Sequence, residues 1–235
     1  MLPCVILAGG LGTRQRPLTD RIPKSLIPVN GRPFAEIQLE WLRSEGVQHV
    51  VLCVGYRADM IMRALGPGDR FGMEITYVDE GDRLLGTGGA LRLALDRRAL
   101  PDAFFVLNGD SYLRVKLADV EDAWCAGDRP VLMVVHRNEN RWDLSNAAFD
   151  GRLVRYDKRQ SDGARMDWID YGLCVLSSDT VAVHIPSGEV VDLSDVMGQL
   201  SSRGMVAGFE ARERFYEVGS HDGLRDLEAY LASAR

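Results

Sequence analysis

Gly9-Gly10-Leu11-Gly12-Thr13 runs into Arg14, and Lys24 follows ten residues later. Glycines carry no side chain, so their backbone N–H groups can close on an anion, and they alone reach positive φ cheaply. A hydroxyl and a guanidinium end the turn, and an ammonium returns to it. Such a concentration of donors and positive charge is the chemistry of a bound triphosphate.

The elements around this turn must hold it open. Pro3–Ala8 is an apolar run that reads as a buried strand. After it, Arg16-Pro17 and Ile22-Pro23 interrupt any regular helix, so a long loop wraps the anion site and delivers Lys24. The third glycine of a GxGxxG dinucleotide turn is missing, and the helical pattern starts only at Phe34, which argues against a nicotinamide site. Helical periodicity then covers Phe34–Ser44, Ala58–Leu65 and Ala90–Arg98, alternating with strand-like His49–Val54, Met73–Val78 and Ala103–Leu107. Alternation of this kind predicts an α/β fold with a mostly parallel sheet covered on both faces. Ligands on such sheets bind outside the carboxyl ends of the strands, where both the glycine turn and Asn108-Gly109-Asp110 fall.

Beyond Asp119 the pattern changes. Pro130–His136 reads as a strand, and Asn146–Phe149 and Leu153–Asp157 flank Asp150-Gly151, a hairpin signal. Trp168–Leu176, Met205–Glu210 and Phe215–Val218 add strands, and Asp192–Arg203 and His221–Ala234 add helices. No linker or repeat divides residues 1–235, so a single domain is expected, with an antiparallel, lid-like portion over the rim of the sheet.

The net charge of −6 speaks against a general nucleic-acid or membrane-surface partner while leaving small anions open. Four scattered cysteines form no CxxC pair, the four histidines show no ligand spacing, and no apolar run approaches the ~20 residues of a membrane span. A reducing cytoplasm is expected.

The run Gly9 to Thr19 matches G-G-x-G-T-R-x-x-P-L-T, and Pro23 to Val29 matches P-K-x-L-x-P-V. In these the chain resembles the sugar-1-phosphate nucleotidyltransferases, or NDP-sugar pyrophosphorylases. The likeness continues through Leu85-Gly86-Thr87-Gly88-Gly89-Ala90, Leu107-Asn108-Gly109-Asp110, Asp157-Lys158, Asp170-Tyr171-Gly172 and Tyr216-Glu217-Val218-Gly219. It implies a Rossmann-like, GT-A-like three-layer sandwich without the C-terminal β-helix domain some members carry. It also implies a Mg2+-dependent, in-line attack of a sugar 1-phosphate on an NTP, giving an NDP-sugar and pyrophosphate.

On that resemblance Arg14, Lys24 and Asp110 are the catalytic residues. Leu7, Ala8, Gly9, Gly10, Gly12 and Thr13, with Gly86, Thr87 and Gly88, bind the nucleotide. Asn108, Lys158, Asp170, Tyr171 and Gly172 bind the sugar phosphate, and Asp110 and Glu217 hold the metal, since Mg2+ takes one or two carboxylates and keeps its other positions for water and phosphate. Three positions depart from the family pattern. Glu217 stands where Asp or Asn is common, and could bind directly or through water. Asp157-Lys158-Arg159 replaces E-K-P, so Arg159 could share the work of Lys158. Asp170-Tyr171-Gly172 replaces N-A-G, so Tyr171 would narrow the sugar pocket and Asp170 would accept sugar O–H groups. Trp142 and Trp168 are read mainly as packing residues, with sugar stacking open for either.

The glycine segment at 86–89 looks most like guanylyltransferases for D-glycero-D-manno-heptose or mannose 1-phosphate, which favours GTP and a manno-configured sugar. UTP, dTTP or CTP, a non-sugar phosphate acceptor as in choline-phosphate cytidylyltransferases, and a nucleotide-sensing protein without turnover are the alternatives. Members of the family often assemble as homo-oligomers.

Overall fold

An apolar strand, β1 (Cys4–Leu7), leads into a twenty-residue loop and then a small hairpin, β2 (Pro28–Val29) and β3 (Arg32–Pro33). In the computed structural model, described for residues 1–159 and 166–233, the chain continues through α1 (Phe34–Ser44), β4 (His49–Val54), α2 (Ala58–Leu65), β5 (Glu74–Asp79), α3 (Gly86–Asp96) and β6 (Ala103–Asn108). Next come β7 (Ser111–Tyr112), α4 (Leu117–Ala126), β8 (Val131–Arg137), β9 (Ala147–Phe149), β10 (Val154–Tyr156) and β11 (Trp168–Ser177). The last elements are α5 (Ser178–His184), α6 (Leu193–Ser202), β12 (Val206–Glu210), β13 (Tyr216–Glu217) and α7 (His221–Ser233). Ala234, the expected end of that helix, lies outside the described residues.

Nine strands form one sheet in the order β10-β9-β11-β6-β1-β4-β5, with β8 paired to β11 and β12 to β8. β6, β1, β4 and β5 run parallel, and β11 turns antiparallel to β6. The portion beyond Asp119 thus extends the sheet, while its connections before β9 and α6 bring Asp143, Asn146 and Asp192 to a cavity at the rim. Strand side chains alternate across the pleat. Cys4 and Ile6 of β1 and Val50, Leu52 and Val54 of β4 therefore enter one core with α1, α2 and α4. Val5, Val51 and Cys53 enter the other with α3, α5 and α6. A third, small core places α7 against Val29, Phe34, Ile37 and Val218.

Several elements depart from the sequence expectation. α3 begins at Gly86 rather than Ala90, because the Gly88 and Gly89 N–H groups donate to the Val191 carbonyl at 2.9 and 3.2 Å. Helices α4 and α5 are added, and β13 pairs with β7 outside the main sheet.

Candidate active site

The loop after β1 is held from below and left open above. Ala8 N–H donates to Cys53 O at 2.8 Å, and Tyr56 N–H to Gly9 O at 3.1 Å. Thr19 Oγ1 bonds Gly12 O, and Tyr56 Oη in turn bonds Thr19 O, so the loop is stitched to itself and to the residues after β4. The N–H groups of Gly10, Leu11 and Gly12 meet no acceptor among the described residues. Arg14 likewise makes no hydrogen bond or ion pair with any described residue. Free amides beside an unpaired guanidinium are what an anion requires.

Asp110 reaches this loop because Gly109 lets two strand ends close. A β carbon at Gly109 would stand 2.5 Å from Leu7 O, whereas the glycine N–H donates to that carbonyl at 3.0 Å. Gln38, buried on α1, fixes the turn by donating to Asn108 O at 3.0 Å and Ser111 O at 2.8 Å. Lys24 Nζ then sits 2.7 Å from Asp110 Oδ2.

Glu217 is brought in from the far end of the chain. Val218 N–H donates to Asp110 O at 2.9 Å, and buried Gln15 on the loop donates through Nε2 to Val218 O at 2.9 Å. The Glu217 carboxylate accepts from Ser220 N–H at 3.0 Å and, more closely, from Gly219 N–H and Ser220 Oγ. A β carbon at Gly219 would lie 2.6 Å from Glu217 Oε2, 2.9 Å from Asp110 Oδ2 and 3.2 Å from Arg14 Nη2. Two carboxylates therefore converge over a position only glycine fits, with no cluster of three or more His, Cys, Asp or Glu ligands among the described residues. That donor set fits Mg2+, which binds through one or two carboxylates and keeps waters and phosphate.

Two cavities meet here. The first, about 360 Å3, is lined by Leu7, Ala8, Gly9, Gly10, Lys24, Glu80, Gly86, Thr87, Asn108, Asp110 and Lys158. The second, about 270 Å3, shares Leu7, Thr87, Asn108, Asp110 and Lys158 and adds Arg14, Asp143, Asn146, Tyr156, Asp170, Tyr171, Gly172, Asp192, Ser194 and Glu217. The anion loop and Asp110 thus face one space.

Not every expected residue stands on a cavity wall. Gly88 stands behind the first cavity with its N–H spent on Val191 O, and Gly86 and Gly88 are glycines because the Val191 backbone packs against them. Gly12 and Thr13 follow Gly10 on the same loop just beyond the cavity wall, with the Gly12 N–H free among the described residues. Tyr171 borders the second cavity, but its side chain is buried in the first core, edge-on to Phe215, and its hydroxyl is taken up by Arg114 N–H at 3.1 Å. The cause is strand alternation: Tyr171 shares a face of β11 with Leu173 and Val175, which enter the same core, while Asp170 stands on the other face. Arg159 turns to Asp195 at 2.9 Å, away from both cavities. Trp168 packs edge-on to Phe149, and Trp142 lies under the Arg214 guanidinium.

Asp170 does face the second cavity. Its N–H donates to Asn146 Oδ1 and its Oδ1 accepts from Gly172 N–H. Burial pushes its carboxyl up to about 6, against the downward pull of Gly172 N–H and Lys158. Lys158 Nζ lies 3.4 Å from Asp192 Oδ2, and Thr87 Oγ1 donates to Asp192 Oδ1 at 3.0 Å.

Glu80 escaped the sequence reading. It follows β5 at the carboxyl rim, as an acidic residue after an apolar strand, which was the available signal. Its Oε2 accepts from Leu85 N–H at 2.6 Å, its Oε1 lies against Gly9, and burial raises its carboxyl above the ordinary range.

A family model described as Nucleotidyl transferase matches residues 4–141. The chain is 36% identical over 191 residues to a mannose-1-phosphate guanylyltransferase of Mycobacterium tuberculosis, covering 80% of this chain and 52% of that protein. It is 36% identical over 121 residues to a D-glycero-α-D-manno-heptose 1-phosphate guanylyltransferase of Campylobacter jejuni, covering 51% and 52%. Proteins named for thymidylyl and uridylyl transfer match as well. The chain spans about half the length of these curated relatives. Among solved structures, HddC from Yersinia pseudotuberculosis, complexed with GMP-PN, superposes with a TM-score of 0.79 at 23% identity, covering 98% of this chain and 100% of that one, a likeness of fold.

Proposed function

The chain belongs to the nucleotidyl transferase family, and from that premise we propose that it joins an NTP, GTP by preference, to a sugar 1-phosphate. The observation that carries this reading is the convergence of the open amide loop, Arg14, the Lys24–Asp110 pair and Glu217 where two cavities meet. A phosphate oxygen of the sugar 1-phosphate forms a bond to the α-phosphorus. The bond from that phosphorus to the bridging oxygen breaks, and its electron pair leaves with pyrophosphate.

Bringing two polyanions together is an electrostatic task, performed by positioned donors and cations without a covalent intermediate. The amides of Gly10 to Gly12 receive the triphosphate, and Arg14 faces the charge that grows on pyrophosphate. Lys24, paired with Asp110 Oδ2 at 2.7 Å, would bring its charge to the phosphates beside that carboxylate. Asp110 and Glu217 would hold Mg2+, which when bound neutralises phosphate charge and orients the α-phosphate.

Glu80 supports guanine. The guanine edge offers N1–H and N2–H2 side by side, two donors to one carboxylate, whereas uracil and thymine offer one N–H between two carbonyls. Two relatives named for mannose and D-glycero-D-manno-heptose 1-phosphate support a manno-configured sugar, which the second cavity would receive beside Lys158 and Asp170. The product would be an activated sugar of the kind cytoplasmic pathways supply to cell-surface polysaccharide.

A matrix of NTPs against sugar 1-phosphates with Mg2+, scored by pyrophosphate release, tests the reading. GTP with a manno-configured sugar is expected to give the fastest release. Absence of pyrophosphate in every pairing overturns the proposal.

A further inference from the structure

The second cavity contains a tyrosine that sequence reading did not pick out. Tyr156 ends β10, and its side chain is only 5% exposed. Its backbone is clamped to α6: Tyr156 N–H donates to Ser201 Oγ at 3.0 Å, and that hydroxyl donates back to Tyr156 O at 3.2 Å. The ring packs in the core shared with Met197 and Leu200, so it has little freedom to swing out. The phenol Oη nevertheless makes no hydrogen bond with any described residue.

This sets Tyr156 apart from the other tyrosines in the body of the fold. Tyr56 Oη donates to Thr19 O, Tyr77 Oη to Gly66 O, and Tyr171 Oη accepts from Arg114 N–H. The remaining three, Tyr112, Tyr216 and Tyr230, form a half-buried aromatic cluster against α7. Tyr156 Oη is not one of the fully buried polar atoms left unpaired, so it opens on the cavity, where water or a ligand is its partner. Tyr156 lines the second cavity together with Asn146, Lys158, Asp170, Asp192 and Ser194.

From this arrangement, and resting on the reaction proposed above, we infer that Tyr156 is a specificity-determining residue whose hydroxyl donates to a ring hydroxyl of the sugar. The neighbours on that cavity are complementary. Asp170 and Asp192 are acceptors, so a sugar O–H that receives from Tyr156 can donate onward to a carboxylate. Burial, then the nearby Asp170 and Asp192 charges, push the Tyr156 phenol far up, so it stays a donor at all working pH. The cations on this cavity, Lys158 and Arg14, lie toward the phosphate, where the two cavities overlap or Glu217 begins. The substrate class is therefore a neutral, hydroxyl-rich sugar bearing one phosphate. A uronic acid or a sugar with a second phosphate would set an anion against Asp143, Asp170 and Asp192.

Tyr156→Phe removes only the hydroxyl, and the experiment compares it with the wild type on mannose 1-phosphate, or whichever sugar 1-phosphate the substrate matrix favours. The expected result is a sugar-phosphate KM roughly tenfold higher, the size of one hydrogen bond to substrate. The NTP KM should be unchanged and the melting temperature equal or higher, since no protein hydrogen bond is lost. A series of monodeoxy sugar 1-phosphates sharpens the assignment: one of them should cost the wild type as much as the substitution does, and cost Tyr156→Phe nothing further. An unchanged sugar-phosphate KM in an active Tyr156→Phe enzyme overturns the inference, as does a parallel rise in both KM values. A wild-type protein inactive on every pairing would fail differently, removing the proposed reaction and this inference with it.

Discussion

The two halves of the site hold charge in opposite ways. On the phosphate side, the loop after β1 offers backbone amides, Arg14, unpaired among the described residues, and the close Lys24–Asp110 pair, all anchored at the ends of parallel strands. On the sugar side, β10, β11 and the segments before β9 and α6 offer one ammonium, a phenol and three carboxylates, one of them pushed up to about 6 by burial. The first side is built to hold a polyanion whatever is attached to it. The second is built to read hydroxyl groups, and its charge state changes within the range of ordinary buffers.

That contrast predicts effects of different kind and size. Asp110→Asn and Lys24→Ala should each lower turnover by about 10²–10³-fold with every sugar 1-phosphate, the scale of losing a principal electrostatic group. Pyrophosphate release alongside a melting curve near that of wild type is the check. A loss confined to one sugar would erase the division between the sides.

Gly219→Ala should come next. Its methyl group would press on Glu217 Oε2, Asp110 Oδ2 and Arg14 Nη2 together, so the Mg2+ concentration for half-maximal rate should rise about tenfold while sugar preference stays put. Titrating Mg2+ at saturating substrates reads this directly, and an unaltered metal requirement would detach Glu217 from the phosphate side.

The smallest change is expected at Asp170→Asn: a several-fold higher KM for sugar phosphate and none for NTP, the scale of weakening one hydrogen bond. It also carries a pH signature. Because the folded carboxyl titrates near 6, above its ordinary value of 3.8, the folded state binds the proton more tightly than the unfolded chain does. The stability this group contributes is complete below the ordinary value and is lost as pH rises through 6. Asparagine escapes that loss, so the variant should be more stable than wild type at pH 8, by on the order of 2 kcal/mol, and the gain should vanish below about pH 4. Thermal melts across that range decide it, and a gain independent of pH would mean the carboxylate is not desolvated.

The same division governs what could be read from the chain before folding. Phosphate-side chemistry lies in short-range patterns: an apolar strand, glycines with no side chains to misdirect, and Lys24 delivered by a loop whose prolines forbid a regular helix. Asp110 follows a strand and must emerge at its carboxyl end. On the sugar side, the decisive information is which way a side chain points, and that changes from one strand residue to the next. Tyr171 was expected to narrow the pocket, and its side chain packs in the core because it shares a strand face with Leu173 and Val175. Tyr156, two residues before Lys158, has the pocket position instead. The glycines at 86–89 were legible as a motif, but their need for close packing against Val191 depends on a segment a hundred residues away. Glu80 and Gln38 carry no motif, and only the folded rim shows what they hold.

The hydrogen bond from Gln15 to the Val218 carbonyl joins positions 203 apart in the chain. During synthesis the glycine loop and Asp110 would leave the ribosome long before their partner segment does. A nascent polypeptide ending short of Glu217 could assemble β1, β4, β5 and β6, yet would lack one of the two carboxylates and the carbonyl on which Gln15 closes. Competence for the chemistry would then be acquired late and all at once, when the final strand and helix dock.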